Sequence, residues 1–499
     1  MMWGAACAAQ EPLSAIKWLD ETETVALSAP YGSPSEPPTA DTIALPDVTV
    51  APLDAPRRDA VGLLPTSTTG LPATLWQASP SKALIRRLDT LPYRPLPAVR
   101  SLYFTLLLAE ANAPDDSGQA ARFLSARIST LRRFGAVEPA LALLEKADGA
   151  VPQLFDQWLD LSLLNGTEDR ACAALRRKPS LSNSLSSRIF CLARTGDWGT
   201  AALIYHGATS LGALGEPDAT LLALFLDPEM IEVSTVPPAP EEITPLQFRL
   251  FEAVGSALST RNLPRAFAMA DLRGTAGWKA EIEAAERLAR SGALAGTRLL
   301  GLYTARKPAA SGGVWDRVAA VQALDTALTE SDAEAVAEAL PAAWSAAREM
   351  KLETVIADLF AERLMEMTLP DRARALALDI ALLSPLYETA AKTLTPITQR
   401  QRFAIGLARG EPSEDAATTP TQGAIADGFV GTGPAPEYQT LLDAGRLGEA
   451  ILGAAAQLDV ERGASRDSLS AALGTLRAIG LEDTARRASL QILLLEGMR

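Results

Sequence analysis

The sequence has very little of what catalytic and metal-binding sites are built from. Its 499 residues include one histidine, His206, and three cysteines, so a histidine-based metal site is excluded, and neither an H-E-x-x-H nor a C-x-x-C spacing occurs. A G-x-x-x-x-G-K-[ST] phosphate loop and a strand followed by G-x-G-x-x-G are also absent. We therefore predict no catalytic residue, no metal site and no cofactor, and we interpret His206 as a structural residue on a helix.

Aromatic residues, long apolar runs and net positive charge are scarce as well. Aromatics make up 5% of the chain, whereas hydrophobic residues make up 48%, because most of the apolar residues are Ala and Leu, which are strong helix formers. No run of about 18 apolar residues occurs, so no transmembrane helix is predicted. The net charge of -14 argues against binding to nucleic acid or to acidic membrane surfaces, which clustered Lys and Arg recognise.

What the sequence does contain is helical periodicity. From Ser81 onward, segments of roughly 10 to 18 residues carry apolar side chains at i, i+3, i+4 and i+7, as in QAARFLSARISTLRRFG and LETVIADLFAERLMEM. Convincing strands are absent. The chain is longer than the size at which a single hydrophobic core keeps growing, so we predict an all-α fold built as an array of helices.

A glycine followed five residues later by an alanine recurs between the predicted helices. The pairs are Gly135 and Ala140, Gly166 and Ala171, Gly196 and Ala201, Gly445 and Ala450, and Gly480 and Ala485. The first three glycines are 30 or 31 residues apart; the last two are 35 apart, with Gly410 another 35 upstream. Glycine can supply the left-handed residue that ends a helix, an acidic residue complements the dipole of the next helix, and alanine lets two helices approach closely.

This spacing, in segments such as GDWGTAALIYHGA and AGRLGEAILGAA, resembles the tetratricopeptide-repeat family, whose helix-turn-helix units carry a glycine at the turn and a small residue five positions on. The resemblance covers about five units, under half of the chain, and residues 245–400 show it only faintly. It implies an α-solenoid that binds proteins. The Ala-rich chain with its Pro-rich N-terminal arm also resembles uncharacterised secreted envelope proteins of α-proteobacteria, which implies no activity.

The predicted organisation has five parts. Residues 1–9 are interpreted as the remnant of a signal peptide, because Ala6-Cys7-Ala8 is a small-x-small cleavage pattern; an ordinary flexible terminus and a lipoprotein acylated on Cys7 are the alternatives. The other parts are a short amphipathic segment with a Pro-rich arm, an N-terminal helical array, a Pro-rich linker and a C-terminal helical array, at residues 10–80, 81–233, 234–245 and 246–499. We accordingly expect a periplasmic protein, with a cytoplasmic one as the alternative.

Two segments of the arm have apolar patterns. Residues 12–22 form a short amphipathic stretch, a candidate docking segment, with the apolar residues Leu13, Ile16, Trp18 and Leu19. From Ser28 to Pro80 the composition is rich in Pro, Ser, Thr and Ala, which predicts a disordered or extended linker. Within this linker, TIALPDVTVAPL alternates apolar residues and could pair with the edge of a partner's sheet or pack on this protein's own helices.

Cys172 and Cys191 lie on two consecutive predicted helices joined by a turn near Pro179. If Cys7 is removed with a signal peptide, these two cysteines remain, and an even count suits an oxidising compartment. An antiparallel hairpin could bring them together, so a disulfide is one prediction. The alternative is that both are small buried apolar residues.

Residues 272–317 differ from the rest of the chain because basic and aromatic residues are interleaved there. The candidate binding-surface residues are Trp278, Lys279, Arg298, Tyr303, Arg306, Lys307 and Trp315. Exposed aromatics beside Arg and Lys are typical of protein-binding hot spots. The alternative is that both tryptophans fill the joins between helices while the charges face water.

Taken together, these features predict a non-catalytic periplasmic scaffold or adaptor that binds protein partners through a helical-repeat surface. Two alternatives remain, a cytoplasmic repeat adaptor and a cell-wall-associated accessory related to the superhelical domains of lytic transglycosylases. Because helical repeats specify a surface rather than a reaction, the sequence identifies no particular partner.

Overall fold

The computed structural model describes residues 57–229, 235–308, 312–431, 433–458 and 465–496. Within these ranges the chain forms α-helices and short 3₁₀-helices and contains no β-strand; a single isolated parallel bridge joins Leu64 and Ala109. The all-α prediction is confirmed. The interpreted signal remnant at residues 1–9 and the candidate docking residues Leu13, Ile16, Trp18 and Leu19 lie outside the described residues.

The described part contains 25 α-helices. The first ten are α1 (Thr66–Thr69), α2 (Ser81–Asp89), α3 (Pro97–Leu108), α4 (Arg122–Phe134), α5 (Val137–Lys146), α6 (Phe155–Asn165), α7 (Asp169–Arg177), α8 (Leu185–Arg194), α9 (Trp198–Ser210) and α10 (Asp218–Leu226). The next eight are α11 (Pro245–Ala253), α12 (Ala268–Asp271), α13 (Trp278–Arg290), α14 (Gly296–Thr304), α15 (Val314–Glu330), α16 (Ala333–Met350), α17 (Glu353–Met365) and α18 (Asp371–Leu383). The last seven are α19 (Tyr387–Thr393), α20 (Gln399–Ala408), α21 (Pro420–Val430), α22 (Pro436–Asp443), α23 (Leu447–Gln457), α24 (Arg466–Ala478) and α25 (Glu482–Glu496).

The glycine-to-alanine spacing marks real helix-turn-helix units. The turns after α4, α6, α8, α22 and α24 each contain a glycine in the left-handed conformation, namely Gly135 (φ 85°), Gly166 (φ 77°), Gly196 (φ 89°), Gly445 (φ 71°) and Gly480 (φ 86°). The alanine five positions later is fully buried in every unit, at Ala140, Ala171, Ala201, Ala450 and Ala485. The predicted roles of both residue types are therefore confirmed: the glycine reverses the chain and the alanine allows close helix packing.

The same turn geometry occurs between α15 and α17, where the sequence shows no glycine-to-alanine pattern. Ser331 (φ 56°) and Lys351 (φ 57°) take the left-handed position after α15 and α16. The residues five positions on, Val336 and Ile356, are buried. Asp332 caps α16 by accepting hydrogen bonds from the backbone N–H groups of residues 334 and 335, at 3.0 and 3.1 Å. These two turns therefore have the same geometry as the glycine turns, although their turn residues differ.

Helices near the two ends of the described part pack against each other. Helix α3 contacts α25, and α2 contacts α23. Gln491 Oε1 accepts a hydrogen bond from the backbone N–H of Ala98 at 2.8 Å, and the N–H of Gly448 donates to the carbonyl of Leu75 at 3.0 Å. In a linear repeat array each unit contacts only its neighbours. This contact is therefore additional to the repeat pattern, and the solenoid arrangement stays a prediction.

Residues 57–80, which we had assigned to the arm, belong to the folded body. Trp76 is 1% exposed, and the segment is fastened to α4 by Arg127, itself 1% exposed. The Arg127 guanidinium donates to the carbonyls of Val61 at 2.7 Å, Leu107 at 2.8 Å and Ala109 at 3.0 Å. Burial lowers the pKa of Arg127 to about 10. The bond to Val61 joins the segment to α4, and the three carbonyls together satisfy a cation that would otherwise be buried without partners.

Helices on the two sides of the predicted linker at 234–245 contact each other. Helix α11 begins at Pro245, and Thr244 caps it in a reciprocal capping box with Gln247. It packs against α6 and α10. A salt bridge of 3.0 Å joins Arg249 of α11 to Glu168, which is buried just before α7. Polar as well as apolar contacts therefore cross this position in the chain.

Candidate interaction surfaces

Cys172 and Cys191 are joined by a disulfide between α7 and α8, which is the first of the two alternatives that the sequence left open. Their sulfur atoms are 2.02 Å apart and their Cα atoms 4.7 Å apart. Both residues are fully buried in the core. Closing a loop with a sequence separation of 19 residues stabilises by about 3 kcal/mol in the chain-entropy model. The disulfide joins the C-terminal part of α8, the first helix of the α8–α9 hairpin, to α7.

The residues predicted as a binding surface around 272–317 divide into a buried and an exposed group. Tyr303 is 2% exposed and its hydroxyl donates to Glu286 Oε1 at 2.8 Å. Arg317 forms a two-pronged contact with the same carboxylate, at 3.0 and 2.9 Å. Burial, followed by the charge of Glu286 and its hydrogen bond, raises the pKa of Tyr303. Tyr303 thus belongs to a buried polar cluster that joins α13, α14 and α15.

Trp278 and Trp315 lie together where α13 and α15 begin. Their ring centroids are 4.9 Å apart with an angle of 39° between the planes. The indole N–H of Trp278 donates to the carbonyl of Leu302 at 2.9 Å, which ties it to the end of α14. Both rings are half-buried. This placement matches the alternative in which the tryptophans fill the joins between helices.

The basic residues of the predicted surface are all exposed. Lys279 follows Trp278 in the first turn of α13, and Arg306 and Lys307 follow the end of α14. Arg298 lies near the start of α14 and forms a 3.2 Å salt bridge with Glu138 of α5. The four cations are therefore carried by different elements, and Arg298 is engaged with α5.

Helix α9 carries an exposed apolar surface that the sequence analysis missed. Trp198 is 46% exposed, Leu203 is 73% exposed and Leu211, the residue after the helix, is 84% exposed. Only three other large hydrophobic residues of the described part are exposed, and they lie far apart in the sequence at Tyr93, Ile397 and Val430. Single exposed apolar residues are ordinary, whereas several on one short helix mark an interaction surface.

The outward side of α9 is formed by residues at helical spacing. Ala201 and Ala208 are the buried positions, and the opposite side carries Gly199, Leu203, His206, Gly207 and Ser210, all exposed. Residues 198–215 contain no Asp, Glu, Lys or Arg. We call this side of the helix, together with Leu211, the α9 face.

The signal for this surface was present in the sequence. An apolar helix that belongs entirely to a core is buried on all sides, whereas an ordinary surface helix has one polar side. The segment WGTAALIYHGATSL has no charged side. Helix α9 contacts α8 and α10, and only the tertiary structure decides which of its sides these helices leave uncovered.

A cleft of about 730 Å³ lies beside the first turns of α2 and α4. Its rim carries exposed Lys82, Arg86 and Arg122. The two acidic side chains that line it are already engaged, since Asp116 accepts hydrogen bonds from Ser81 N–H at 2.9 Å and Ser81 Oγ at 2.6 Å, and Asp59 accepts one from the N–H of residue 124 at 2.7 Å. An anionic group would be favoured over a cation in this cleft.

Across the described ranges, no three His, Cys, Asp or Glu side chains converge in a way that could hold a metal ion. None of the helices described here combines the length and the hydropathy that crossing a bilayer requires. Helix α9 itself has 13 residues.

Comparison with known proteins adds no relative. No protein-family model matches this chain, and neither a curated protein nor a solved structure matches it.

Proposed function

We propose that this protein is a non-catalytic helical scaffold that binds another protein through the outward side of its helical hairpins. The observation that supports the proposal is helix α9, whose residues are uncharged and where Leu203 and Leu211 are exposed on the α9 face and Trp198 is exposed on an adjoining side. Exposed apolar residues without charge are typical of protein-protein interfaces, whose centres are depleted in charge and enriched in aromatic residues.

Burial of this face against a partner would contribute favourable free energy to binding. Full burial of a leucine side chain contributes about 1.5–3 kcal/mol, so two exposed leucines supply several kcal/mol before the costs of association. Trp198 stands on a fixed platform, because its ring packs at 5.7 Å against Phe225, which stacks at 5.4 Å on Phe190. An anchored aromatic loses little conformational freedom on binding, as in interaction hot spots.

We also propose that the scaffold works in an oxidising compartment, the periplasm. The Cys172–Cys191 disulfide supports this, because disulfides persist in exported proteins and are rare in reducing compartments. The measurement is a thiol count on chain isolated under conditions that block exchange, before and after unfolding. Two free thiols at these positions in chain isolated from its own cell would contradict the proposed compartment.

The function is tested by affinity capture from the native cell envelope with three forms of the full chain. We expect wild type to recover a specific protein, and Leu203→Asp to lose it because a carboxylate cannot be buried cheaply in an apolar contact. Val430→Asp is the matched control, since Val430 is 64% exposed on a different helix, and it should behave like wild type. Equal recovery with all three forms would contradict the proposal.

A further inference from the structure

We propose that the partner at the α9 face is a second copy of this chain, so that the scaffold is a symmetric dimer with two α9 helices crossing antiparallel. This inference rests on the proposed function and names the occupant of the same surface. Three features of the face carry it, namely its pattern of leucine and glycine, the reason the glycines are there, and its charge.

The first feature is a self-complementary ridge. Gly199, Leu203, Gly207 and Leu211 follow one another at intervals of four residues and are all exposed, so they form one of the i±4 ridges along which helices pack. Two copies related by a two-fold axis at position 205 place Leu203 opposite Gly207 and Leu211 opposite Gly199. Each exposed leucine then meets a gap in the other copy, which is what an interface made of one surface used twice requires.

The second feature is that the isolated chain has no use for these glycines. A glycine inside an exposed helix destabilises it relative to alanine. At both Gly199 and Gly207 a Cβ atom would meet nothing within 4 Å, and neither has a positive φ. Neither internal packing nor backbone conformation therefore requires glycine there. Because both lie on the same ridge as the exposed leucines, they would let an external helix approach closely there.

The third feature is charge. The chain has a net charge of -14, so two copies repel each other over most of their surfaces. The α9 face is a place where they can meet without bringing like charges together, because residues 198–215 are uncharged. A membrane surface is disfavoured as the occupant, since helices that lie on membranes carry Lys and Arg on their polar side and α9 has none.

The expected affinity is modest. A contact made chiefly by one 13-residue helix falls at or below the standard interface of about 1,600 Å², and part of the gain is lost to association entropy. We therefore expect a Kd in the micromolar range and an equilibrium between monomer and dimer.

Sedimentation velocity of the purified full chain, from about 1 to about 200 µM, measures this equilibrium directly. We expect the average mass to rise from that of the 52.7 kDa chain toward twice that value. Leu203→Asp should remain monomeric across the range, and Val430→Asp should associate like wild type. Helix content and thermal stability should be the same in all three, because both positions are exposed.

A second variant distinguishes specific packing of leucine against glycine from nonspecific hydrophobic association. Gly207→Leu adds apolar surface and improves helix propensity, and open space surrounds the position within the chain. The monomer should be as stable as wild type or slightly more so. Dimerisation should nevertheless weaken at least tenfold, because the gap that receives Leu203 is filled. Tighter association of Gly207→Leu would overturn the proposed packing.

Disulfide trapping tests the register in a chain that also carries Cys7→Ser. A mixture of Leu203→Cys and Gly207→Cys chains should cross-link on mild oxidation. A mixture of Leu211→Cys and Gly207→Cys chains should not, since the proposed register separates those positions by about 12 Å along the helix at 1.5 Å per residue. Equal cross-linking of both mixtures would contradict the register.

The outcomes separate this inference from the function on which it rests. A wild-type chain that stays monomeric at every concentration overturns the proposal that the partner is a second copy. If capture of another protein still depends on Leu203 in that case, the scaffold function stands and the α9 face belongs to that protein. A monomer that instead binds neutral phosphatidylcholine vesicles in a Leu203-dependent way overturns both.

Discussion

The buried carboxylate of Glu286 should be one of the most sensitive positions in this protein, and Glu286→Ala is the perturbation that tests it. Its side chain is fully buried and receives hydrogen bonds from Tyr303 at 2.8 Å and from Arg317 at 3.0 and 2.9 Å. Arg317 is itself 11% exposed, and its other acidic neighbour, Glu349, is 3.9 Å away and 68% exposed. Without Glu286, Arg317 would keep only this longer contact with a carboxylate close to solvent.

The magnitude follows from what the substitution leaves behind. Removing one partner of a buried ion pair costs about 3–5 kcal/mol, because the other charge remains buried and unpaired. Tyr303→Phe removes only one hydrogen bond to a charged acceptor, at a cost of about 1.5–3 kcal/mol, while the pair with Arg317 stays intact. We therefore expect Glu286→Ala to be the more destabilising change, and Glu286→Ala with Arg317→Ala to cost less than the sum of the two single changes.

Urea unfolding followed by circular dichroism gives the required free energies for five forms, namely wild type, Tyr303→Phe, Glu286→Ala, Arg317→Ala and the Glu286→Ala/Arg317→Ala double variant. The double-mutant cycle should show a coupling between Glu286 and Arg317 of about 1–3 kcal/mol. Additive effects, or a Glu286→Ala variant less destabilised than Tyr303→Phe, would refute the view that this carboxylate holds the cluster together.

Two further predictions concern close packing and alkaline pH. Gly448→Ala should destabilise the chain by about 1–3 kcal/mol, because a Cβ there would lie 2.3 Å from the ring of buried Trp76. The control is Gly423→Ala in α21, which has open space around it and should stabilise the chain by about 0.5–1 kcal/mol. Thermal unfolding that places the two variants in the opposite order would contradict this prediction. Burial, the first cause at each site, raises the pKa of four tyrosines, Tyr205, Tyr303, Tyr387 and Tyr438. The folded chain therefore keeps protons that the unfolded chain loses near pH 10, so the contribution of these tyrosines to stability should be constant below about pH 10 and fall above it. Phenolate absorbance should show these four hydroxyls ionising at higher pH in the folded chain than in the unfolded chain, and titration of all seven tyrosines near pH 10 in folded chain would show that the reasoning is wrong.

The sequence predicts the helical hairpins best where glycine makes the turn. The turn at Gly196 and the helix contact at Ala201 can be predicted from the sequence, because a left-handed residue and a close helix contact select those residue types. The hairpins at Ser331 and Lys351 use the same geometry without the signal. There the turn is stabilised by the Asp332 cap and by burial of Val336, which depend on neighbouring helices rather than on the turn residue.

The candidate surfaces were predicted less well than the hairpins. Tyr303 looked like a surface aromatic because it stands among basic residues, but Glu286, 17 positions earlier in the chain, holds its hydroxyl in the core. Trp198 and Leu203 read as ordinary members of an apolar helix. Whether an apolar residue is covered depends on which helices lie beside it, and sequence spacing does not state that.

By itself, then, the sequence determined the all-α class, the turns at the glycines and the scarcity of groups for chemistry, because each follows from the conformational preference or reactivity of particular residues; for the two cysteines it left pairing and separate burial open. Tertiary structure alone decided that residues 57–80 join the body through Arg127, that α3 meets α25, and that α9 keeps one side uncovered. These depend on contacts between residues far apart in the chain, and burial is a property of the assembled helices rather than of any one segment.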